Sequence, residues 1–185
     1  MESKTLQFII EHEGEDHNKI LLSASRYPDV DIPTAARSIA ARKKIKSKIP
    51  TFYNEPSLIY PTTLSLEQCS SEATAIYKQS LIPQGCKVAD LTGGLGVDSF
   101  FFSKKAKSVE YYERNGELAS AVKENFASLG AYNINVNPFN INVSYIDSDQ
   151  FNNFDIIFLD PARRDRSGGR VFSVSDCEPN LIELE

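Results

Sequence analysis

The chain has 185 residues, of which 41% are hydrophobic, and its formal net charge at pH 7 is −5. This length supports one sizeable core, or a core with a small appendage, and no 18-residue apolar run is present that would predict a membrane-spanning helix. The three cysteines, Cys69, Cys86 and Cys177, are too widely spaced for a paired metal-ligand motif. We therefore expect reduced thiols, no metal site and a cytoplasmic protein.

Helical patterns occupy most of residues 1–62, which we predict to form a small helical N-terminal domain. Asp31 or Ile32 matches the cap of its longest helix and Pro33 the first turn, and Pro50 predicts where that helix ends. The following segment, up to Pro61, reads as a loop or a short extended link.

A basic stripe lies in the longest of these helices. Its six basic residues, with no acidic residue among them, are Arg37, Arg42, Lys43, Lys44, Lys46 and Lys48. On an acidic chain such a local excess of positive charge can mark contact with a polyanion, and Lys43 and Lys44 are candidates for that contact. A merely solvated helix face is the simpler alternative.

The second part, residues 63–185, is predicted to be an α/β domain. Ser65 and Gln68 match a capping box, which predicts a helix as far as about Leu81; we expect its inward side chains to be Leu66, Cys69, Ala73, Ile76 and Tyr77. Strand patterns at residues 87–91, 108–112, 141–146 and 155–159 then alternate with helical patterns at 97–104 and 116–129. This alternation predicts a parallel sheet with right-handed crossovers. Because only about four strands are readable, we expect the chain to be the N-terminal part of a longer protein.

A glycine-rich turn after the first strand is the main candidate binding feature. The strand ends near Asp90, and the turn contains Gly93, Gly94 and Gly96. Glycine removes the Cβ that would block close approach, and the amides that open the next helix face the ligand. Asp90 is placed to accept a hydrogen bond from that ligand. An ordinary tight strand-to-helix turn is the alternative.

Acidic residues end two further strands. Glu113, 19 residues after Gly94, is placed to accept hydrogen bonds from both hydroxyls of a ribose. A solvated acid before a helix is the alternative for Glu113. Asp160 and Pro161 follow the fourth strand, at the edge where a reacting atom is expected.

An arginine cluster comes directly after Pro161. Arg163 and Arg164 can form bidentate contacts with phosphate, as can Arg166. A solvated loop paired with Asp165 is the alternative.

The glycine turn, the acid after strand two and the Asp-Pro pair resemble, in order and spacing, the class I S-adenosylmethionine (SAM)-dependent methyltransferases, over about residues 60–180. The segments 64–72, 90–98 and 160–164 are similar to those of a bacterial group of candidate RNA methyltransferases, which resemble THUMP-associated methyltransferases and, more distantly, cap trimethylguanosine synthases. The resemblance implies a Rossmann-like parallel sheet of the class I type, apparently incomplete at its C-terminus. It also implies SAM as cofactor, RNA as partner and methylation of a base in structured RNA.

The resemblance also assigns roles to single residues. The cofactor would contact Asp90, Gly93, Gly94, Gly96, Glu113 and Asp147. Asp147, which closes the predicted third strand, would meet the adenine amino group, with Asp149 as an alternative. Gln68 and Ser71 would border the pocket, or else serve only as helix-capping and surface residues.

Catalysis would fall to Asp160 and Pro161, which can accept a hydrogen bond from an exocyclic amine. Arg163, Arg164, Lys43 and Lys44 would contact the RNA. Ala162 and Arg163 stand where adenine-N6 enzymes usually have proline and an aromatic residue, which leaves the methylated atom open.

Two other functions share parts of this pattern. A nicotinamide-dependent oxidoreductase also needs the glycine turn and the ribose-binding acid, although Asp160-Pro161 disfavours it. A non-catalytic RNA-binding module could retain the same fold. Cys177 is the one candidate beyond the fourth strand for a cytosine-C5 or uracil-C5 nucleophile, and a structural thiol is the favoured interpretation of it.

Overall fold

The computed structural model describes residues 2–138 and 152–160. Its helices are α1 (Ser3–Glu11), α2 (His17–Leu22), α3 (Ile32–Lys48), α4 (Pro50–Tyr53), α5 (Thr63–Gln68), α6 (Glu72–Leu81), α7 (Val97–Ser103) and α8 (Gly116–Ser128), with a 3₁₀ turn at Ala24–Arg26. Its strands are β1 (Lys87–Asp90), β2 (Ser108–Tyr112), β3 (Ile134–Asn137) and β4 (Ile156–Phe158). No helix in these two ranges is long and apolar enough to cross a membrane.

The described strands form one parallel sheet in the order β3-β2-β1-β4. Val88 of β1 lies opposite Val109 of β2 on one side and Ile156 of β4 on the other. Helices α7 and α8 form the crossovers from β1 to β2 and from β2 to β3. The predicted α/β, Rossmann-like parallel sheet is therefore confirmed, and the carboxyl ends of its strands meet at a single edge.

Strand β3 occupies a segment for which the sequence analysis predicted no strand. Asparagines alternate there with Ile134 and Val136. Because asparagine is depleted in strands, residue propensity does not favour a strand in this segment. In the sheet, the side-chain amides of Asn135 and Asn137 donate to the carboxylate of Glu110 on β2, at 2.6 and 2.9 Å. These cross-strand hydrogen bonds offset the low strand propensity.

The position of β3 also affects the predicted adenine contact. The strand that pairs with β2 is β3, which ends at Asn137. The predicted strand at 141–146, together with Asp147 and Asp149, lies outside the described residues. The role of Asp147 stays a prediction.

The predicted single helix from Ser65 to about Leu81 is two helices, α5 and α6. Thr62, not Ser65, caps α5 by accepting from the amide of Ser65, and Ser71 caps α6 by accepting from the amide of Thr74, both at 3.2 Å. Cys69 is extended, which resets the helical phase between the two segments.

The predicted inward face of this region is therefore only partly right. Leu66 is buried, but Ala73 is exposed, and Ile76 and Tyr77 are 47% and 65% exposed. Ala75 is the buried residue of α6. The phase reset at Cys69 turns the expected apolar face of the second segment toward solvent.

Two hydrophobic clusters meet in α3. The larger lies against the sheet and includes Ile45, Ile49 and Phe52 together with residues of β1, β2, α7 and α8. The smaller joins α1, α2 and the first half of α3, around Ile9 and Ile39. Helices before residue 62 thus contribute to the core of the sheet, and the predicted domain boundary at that residue stays a prediction.

Two of the six residues of the basic stripe are engaged inside the fold. Arg42 is buried, with its guanidinium 3.1 Å from the carboxylate of Glu13, 2.9 Å from the carbonyl of Tyr53 and stacked over the Tyr53 ring. Lys48 donates to the carbonyls of Leu66 and Glu67 at the end of α5, where a lysine satisfies carbonyls that lack helical partners. Such contacts stabilise the fold and need no external polyanion.

We expect Arg42→Ala to lower the free energy of unfolding by about 3 kcal/mol, because it leaves Glu13 and the Tyr53 carbonyl without their buried donor. Urea denaturation measures this effect. Lys46→Ala is the matched control, since Lys46 faces the same tyrosine ring from an exposed position. Equal small losses in the two variants would contradict a structural role for Arg42.

Candidate active site at the carboxyl edge of the sheet

The glycine loop connects β1 to α7 at the carboxyl edge. Gly94 and Gly96 have φ angles of +55° and +77°, in the left-handed region that favours glycine. The amide of Gly96 donates to the carbonyl of Gly93 at 2.9 Å, which closes the turn directly before α7 begins at Val97. The strand-to-helix turn that the sequence predicted is therefore present.

The three glycines differ in what surrounds them. A Cβ at Gly93 would overlap the ring of Tyr111, and a Cβ at Gly96 would lie 2.6 Å from the ring of Phe126. At Gly94 the nearest atom to a Cβ would be the Thr92 carbonyl oxygen, 3.8 Å away. Gly93 and Gly96 are thus required by packing, and Gly94 is the glycine with open space beside it.

Glu113 lies next to this open position, as its spacing predicted. Its carboxylate accepts from the amide of Gly94 at 3.0 Å and from the amide of Asn115 at 2.8 Å. The Tyr111 hydroxyl donates to the carbonyl of Gly94 at 2.6 Å. The end of β2 and the glycine loop are thus joined at one residue, and the carboxylate of Glu113 remains partly exposed there.

Asp90 is built into the fold rather than open to solvent. It is 1% exposed, and its carboxylate accepts from the hydroxyl of Ser99 at 2.5 Å and from the amide of Thr92 at 3.1 Å. Burial raises the pKa of Asp90 to about 7, although both hydrogen bonds act in the opposite direction. Little of this side chain is accessible to a ligand, and its contacts tie β1 to α7.

Asp160 lies at the same edge, beyond the end of β4. Its amide donates to the hydroxyl of Thr92 at 2.7 Å, which connects it to the glycine loop. Its carboxylate is 3.2 Å from the ammonium of Lys78, on α6. Asp160 is therefore brought to the glycine loop, as the sequence analysis expected of the residue before Pro161.

Lys78 is a site residue that the sequence analysis missed. Its ammonium is 3.0 Å from the carboxylate of Asp98 on α7, 2.9 Å from the hydroxyl of Ser70, and over the ring of Phe158. Lys78 is separated from Asp160 by 82 positions in sequence, and no spacing rule connects the two. A lysine in the helix before the first strand of such a sheet is the one available sequence signal.

Lys78 is surrounded by more negative charge than its single ammonium balances. Burial opposes its charge, but the carboxylates of Asp98 and Asp160 raise the pKa of Lys78 above its usual range, so the side chain is an ammonium at neutral pH. Two carboxylates surround this single ammonium. The buried Oδ1 of Asp98 has no hydrogen-bond partner in the described part of the chain. The cluster thus has a surplus of negative charge and an acceptor that lacks a donor.

The other predicted site residues are distributed as follows. Lys43 and Lys44 are exposed on α3, where Lys43 donates to the carbonyl of Glu15 at 2.8 Å and Lys44 pairs with Glu67 at 3.0 Å. Gln68 is the exposed last residue of α5, and Ser71 caps α6. The residues that lie outside the described ranges are Asp147, Pro161, Arg163, Arg164, Arg166 and Cys177. Within the described ranges no group of three or more His, Cys, Asp or Glu side chains is arranged to hold a metal ion.

The fold and this edge together define a Rossmann-like α/β protein with a candidate ligand site at the carboxyl ends of parallel strands. Neither a protein-family model nor a curated protein sequence matches the chain. Among solved structures, the chain is similar to a candidate methyltransferase from Porphyromonas gingivalis W83, with 32% identity and a TM-score of 0.76. The match covers 98% of this chain and 45% of that one, so the chain spans less than half of that protein.

Weaker likenesses extend to two streptococcal proteins. An rRNA methylase from Streptococcus thermophilus matches with 16% identity and a TM-score of 0.35, over 50% of this chain and 49% of that one. A candidate methyltransferase from Streptococcus mutans, in complex with SAH (S-adenosylhomocysteine), matches with 15% identity and a TM-score of 0.38, over 61% of this chain and 60% of that one. Of these comparisons, the Porphyromonas structure is the one that supports the fold seen in the parallel sheet.

Asp90→Asn should make the protein less sensitive to rising pH. Because the pKa of Asp90 is raised by folding, the folded wild type holds a proton that the unfolded chain has released between about pH 4 and pH 7, and stability falls across that window. Asparagine removes this ionisation and can still pair with Ser99 and Thr92. Relative to wild type, the variant should gain a few kcal/mol between pH 4 and pH 8, since one pKa unit is about 1.4 kcal/mol.

Urea denaturation at several pH values measures this difference. Asp29→Asn is the control, because Asp29 is exposed and hydrogen bonding to Lys4 lowers its pKa. It should therefore show no comparable trend above pH 4. If the free energies of unfolding of wild type and Asp90→Asn stay parallel across this range, folding does not raise the pKa of the Asp90 carboxyl.

Proposed function

We propose that this chain carries the SAM-binding part of a class I methyltransferase. The observation that carries the proposal is the open backbone of Gly94 with the carboxylate of Glu113 on its amide. Gly94 lies in the same glycine loop as Thr92, whose hydroxyl accepts from the amide of Asp160. An open glycine, a partly exposed acid at the end of β2 and an exposed acid beyond β4 are the features that a nucleoside joined to an amino acid would use. The similarity to the Porphyromonas candidate methyltransferase supports the same proposal.

Different residues at the edge would contact the two ends of the cofactor. Glu113 would accept hydrogen bonds from the ribose hydroxyls, and Gly94 would let the backbone approach closely. The amino-acid end would lie toward Asp160, and Asp147 stays the proposed contact for the adenine. When bound, SAM supplies a methyl group that is activated by a sulfonium. Asp160 and Pro161 would orient an exocyclic amine and accept its hydrogen bond for in-line attack.

An RNA nucleobase is the substrate that we propose. Lys43 and Lys44 support this choice because both are exposed, and their present contacts with the Glu15 carbonyl and Glu67 are surface contacts, worth about 0–1 kcal/mol for an exposed ion pair. Replacing these contacts of Lys43 and Lys44 with contacts to RNA phosphates therefore costs little free energy. Arg163 and Arg164 stay part of the proposal as further phosphate contacts.

Binding of SAH tests the cofactor assignment. Gly94→Ala should weaken SAH binding at least tenfold in calorimetry, because the new Cβ enters the open space beside the loop. Gly130→Ala is the matched control, since Gly130 also has a positive φ, +68°, and open space around it. It therefore carries a comparable backbone strain at the end of α8, away from the glycine loop.

Several outcomes would overturn the assignment. An unchanged SAH affinity in Gly94→Ala would contradict the placement of the cofactor. A rise in melting temperature with a nicotinamide dinucleotide and none with SAM or SAH would favour the oxidoreductase alternative. RNA binding without any SAM or SAH binding would favour the non-catalytic module.

The RNA assignment is tested with Lys43→Gln combined with Lys44→Gln. Each phosphate contact releases counterions, so this double variant should bind a structured RNA with a single-stranded loop several-fold more weakly at low salt and with a shallower salt dependence. SAH affinity should not change. Lys87→Gln combined with Lys107→Gln removes the same charge at the opposite edge of the sheet. Equal RNA affinities of the two double variants would exclude Lys43 and Lys44 from RNA recognition.

A further inference from the structure

The ammonium of Lys78 belongs to two ion pairs that differ in exposure. Its pair with Asp98 is enclosed, since the side chains are 21% and 13% exposed. Its pair with Asp160 is open, because the Asp160 side chain is 56% exposed. An exposed ion pair contributes little to stability, whereas breaking an enclosed pair is strongly destabilising. Lys78 can therefore keep Asp98 while it exchanges Asp160 for a ligand.

The exchange partner follows from the charges. Asp160 and Lys78 present one anion and one cation side by side, which is the complement of a zwitterion with an ammonium and a carboxylate on one carbon. The Ser70 hydroxyl donates to Asp98 Oδ2 at 2.8 Å and accepts from the Lys78 ammonium at 2.9 Å, so it reinforces the enclosed pair.

We propose that Lys78 binds the carboxylate of the cofactor's amino-acid end, an inference that rests on the proposed SAM site. The Oδ2 of Asp160, which now holds the Lys78 ammonium, takes the ammonium of the same amino acid, and its Oδ1 stays available to the exocyclic amine of the substrate. Asp98 keeps Lys78 in position through its enclosed pair. Lys78 is thus a specificity-determining residue for ligands that retain the amino-acid carboxylate.

The test compares SAH with an analogue in which hydrogen replaces the carboxylate, by calorimetry on the 185-residue chain. Wild type should bind SAH about tenfold or more tightly than the analogue, because a hydrogen-bonded charge is lost. In Lys78→Gln this preference should fall to near one, mainly through weaker SAH binding, while Lys78→Arg should retain most of it. Glutamine can still donate to Asp98, which favours a folded variant.

Lys104→Gln is the matched control, since Lys104 also lies over a phenylalanine ring, that of Phe100. It should leave the preference for SAH unchanged. Equal loss of both ligands in Lys78→Gln, or a wild-type protein that does not distinguish them, would overturn the role of Lys78 and leave the SAM site intact. A wild-type protein that binds neither ligand would instead overturn the proposed function. If Lys78→Gln does not fold, as judged by circular dichroism, Lys78→Met replaces it: a preference that falls to near one supports the proposal, and an unchanged preference overturns it.

Discussion

The close contact between Gly93 and Tyr111 determines how the functional edge is built. The backbone of Gly93 lies directly against the ring of Tyr111, with no room for a Cβ. This contact holds the glycine loop against the carboxyl end of β2. The amide of Gly93 donates to the Tyr112 carbonyl, and the Tyr111 hydroxyl donates to the carbonyl of Gly94. These contacts hold Gly94 where the carboxylate of Glu113 reaches its amide. The partly exposed acid at the end of β2 and the backbone of Gly94 thus become neighbours through packing and hydrogen bonds.

Charge is used in two ways along the chain, and local sequence does not distinguish them. Arg42 and Lys48 stand in the same basic stripe as Lys43 and Lys44, yet they satisfy Glu13 and the carbonyls of Leu66 and Glu67 inside the fold. Helical periodicity assigns a residue to a face but does not say which other element covers that face. The number of basic residues in the stripe therefore overstates the charge available to a partner.

The features predicted correctly are those that local pattern and short spacing encode. The parallel sheet follows from alternating strands and helices, and the approach of Glu113 to Gly94 follows from the length of one strand–helix–strand unit. The features that were missed depend on contacts far apart in sequence. Strand β3 depends on Glu110 to hold its asparagines, and Lys78 reaches Asp160 across 82 positions. The break at Cys69 is the exception, because the cap that Ser71 gives α6 is local, whereas the capping-box match of Ser65 and Gln68 indicated one continuous helix.

Residues of the edge separate into those that hold its shape and those that face open space. Asp90, Gly93 and Gly96 are enclosed by Ser99, Tyr111 and Phe126, so that substitutions there act first on stability. Gly94, Glu113 and Asp160 retain open space or exposed carboxylates beside that rigid frame. When a site is preorganised in this way, ligand binding requires little free energy for ordering the backbone. Lys78 joins the two groups, because its enclosed pair with Asp98 belongs to the frame and its open pair with Asp160 belongs to the surface that a ligand reaches.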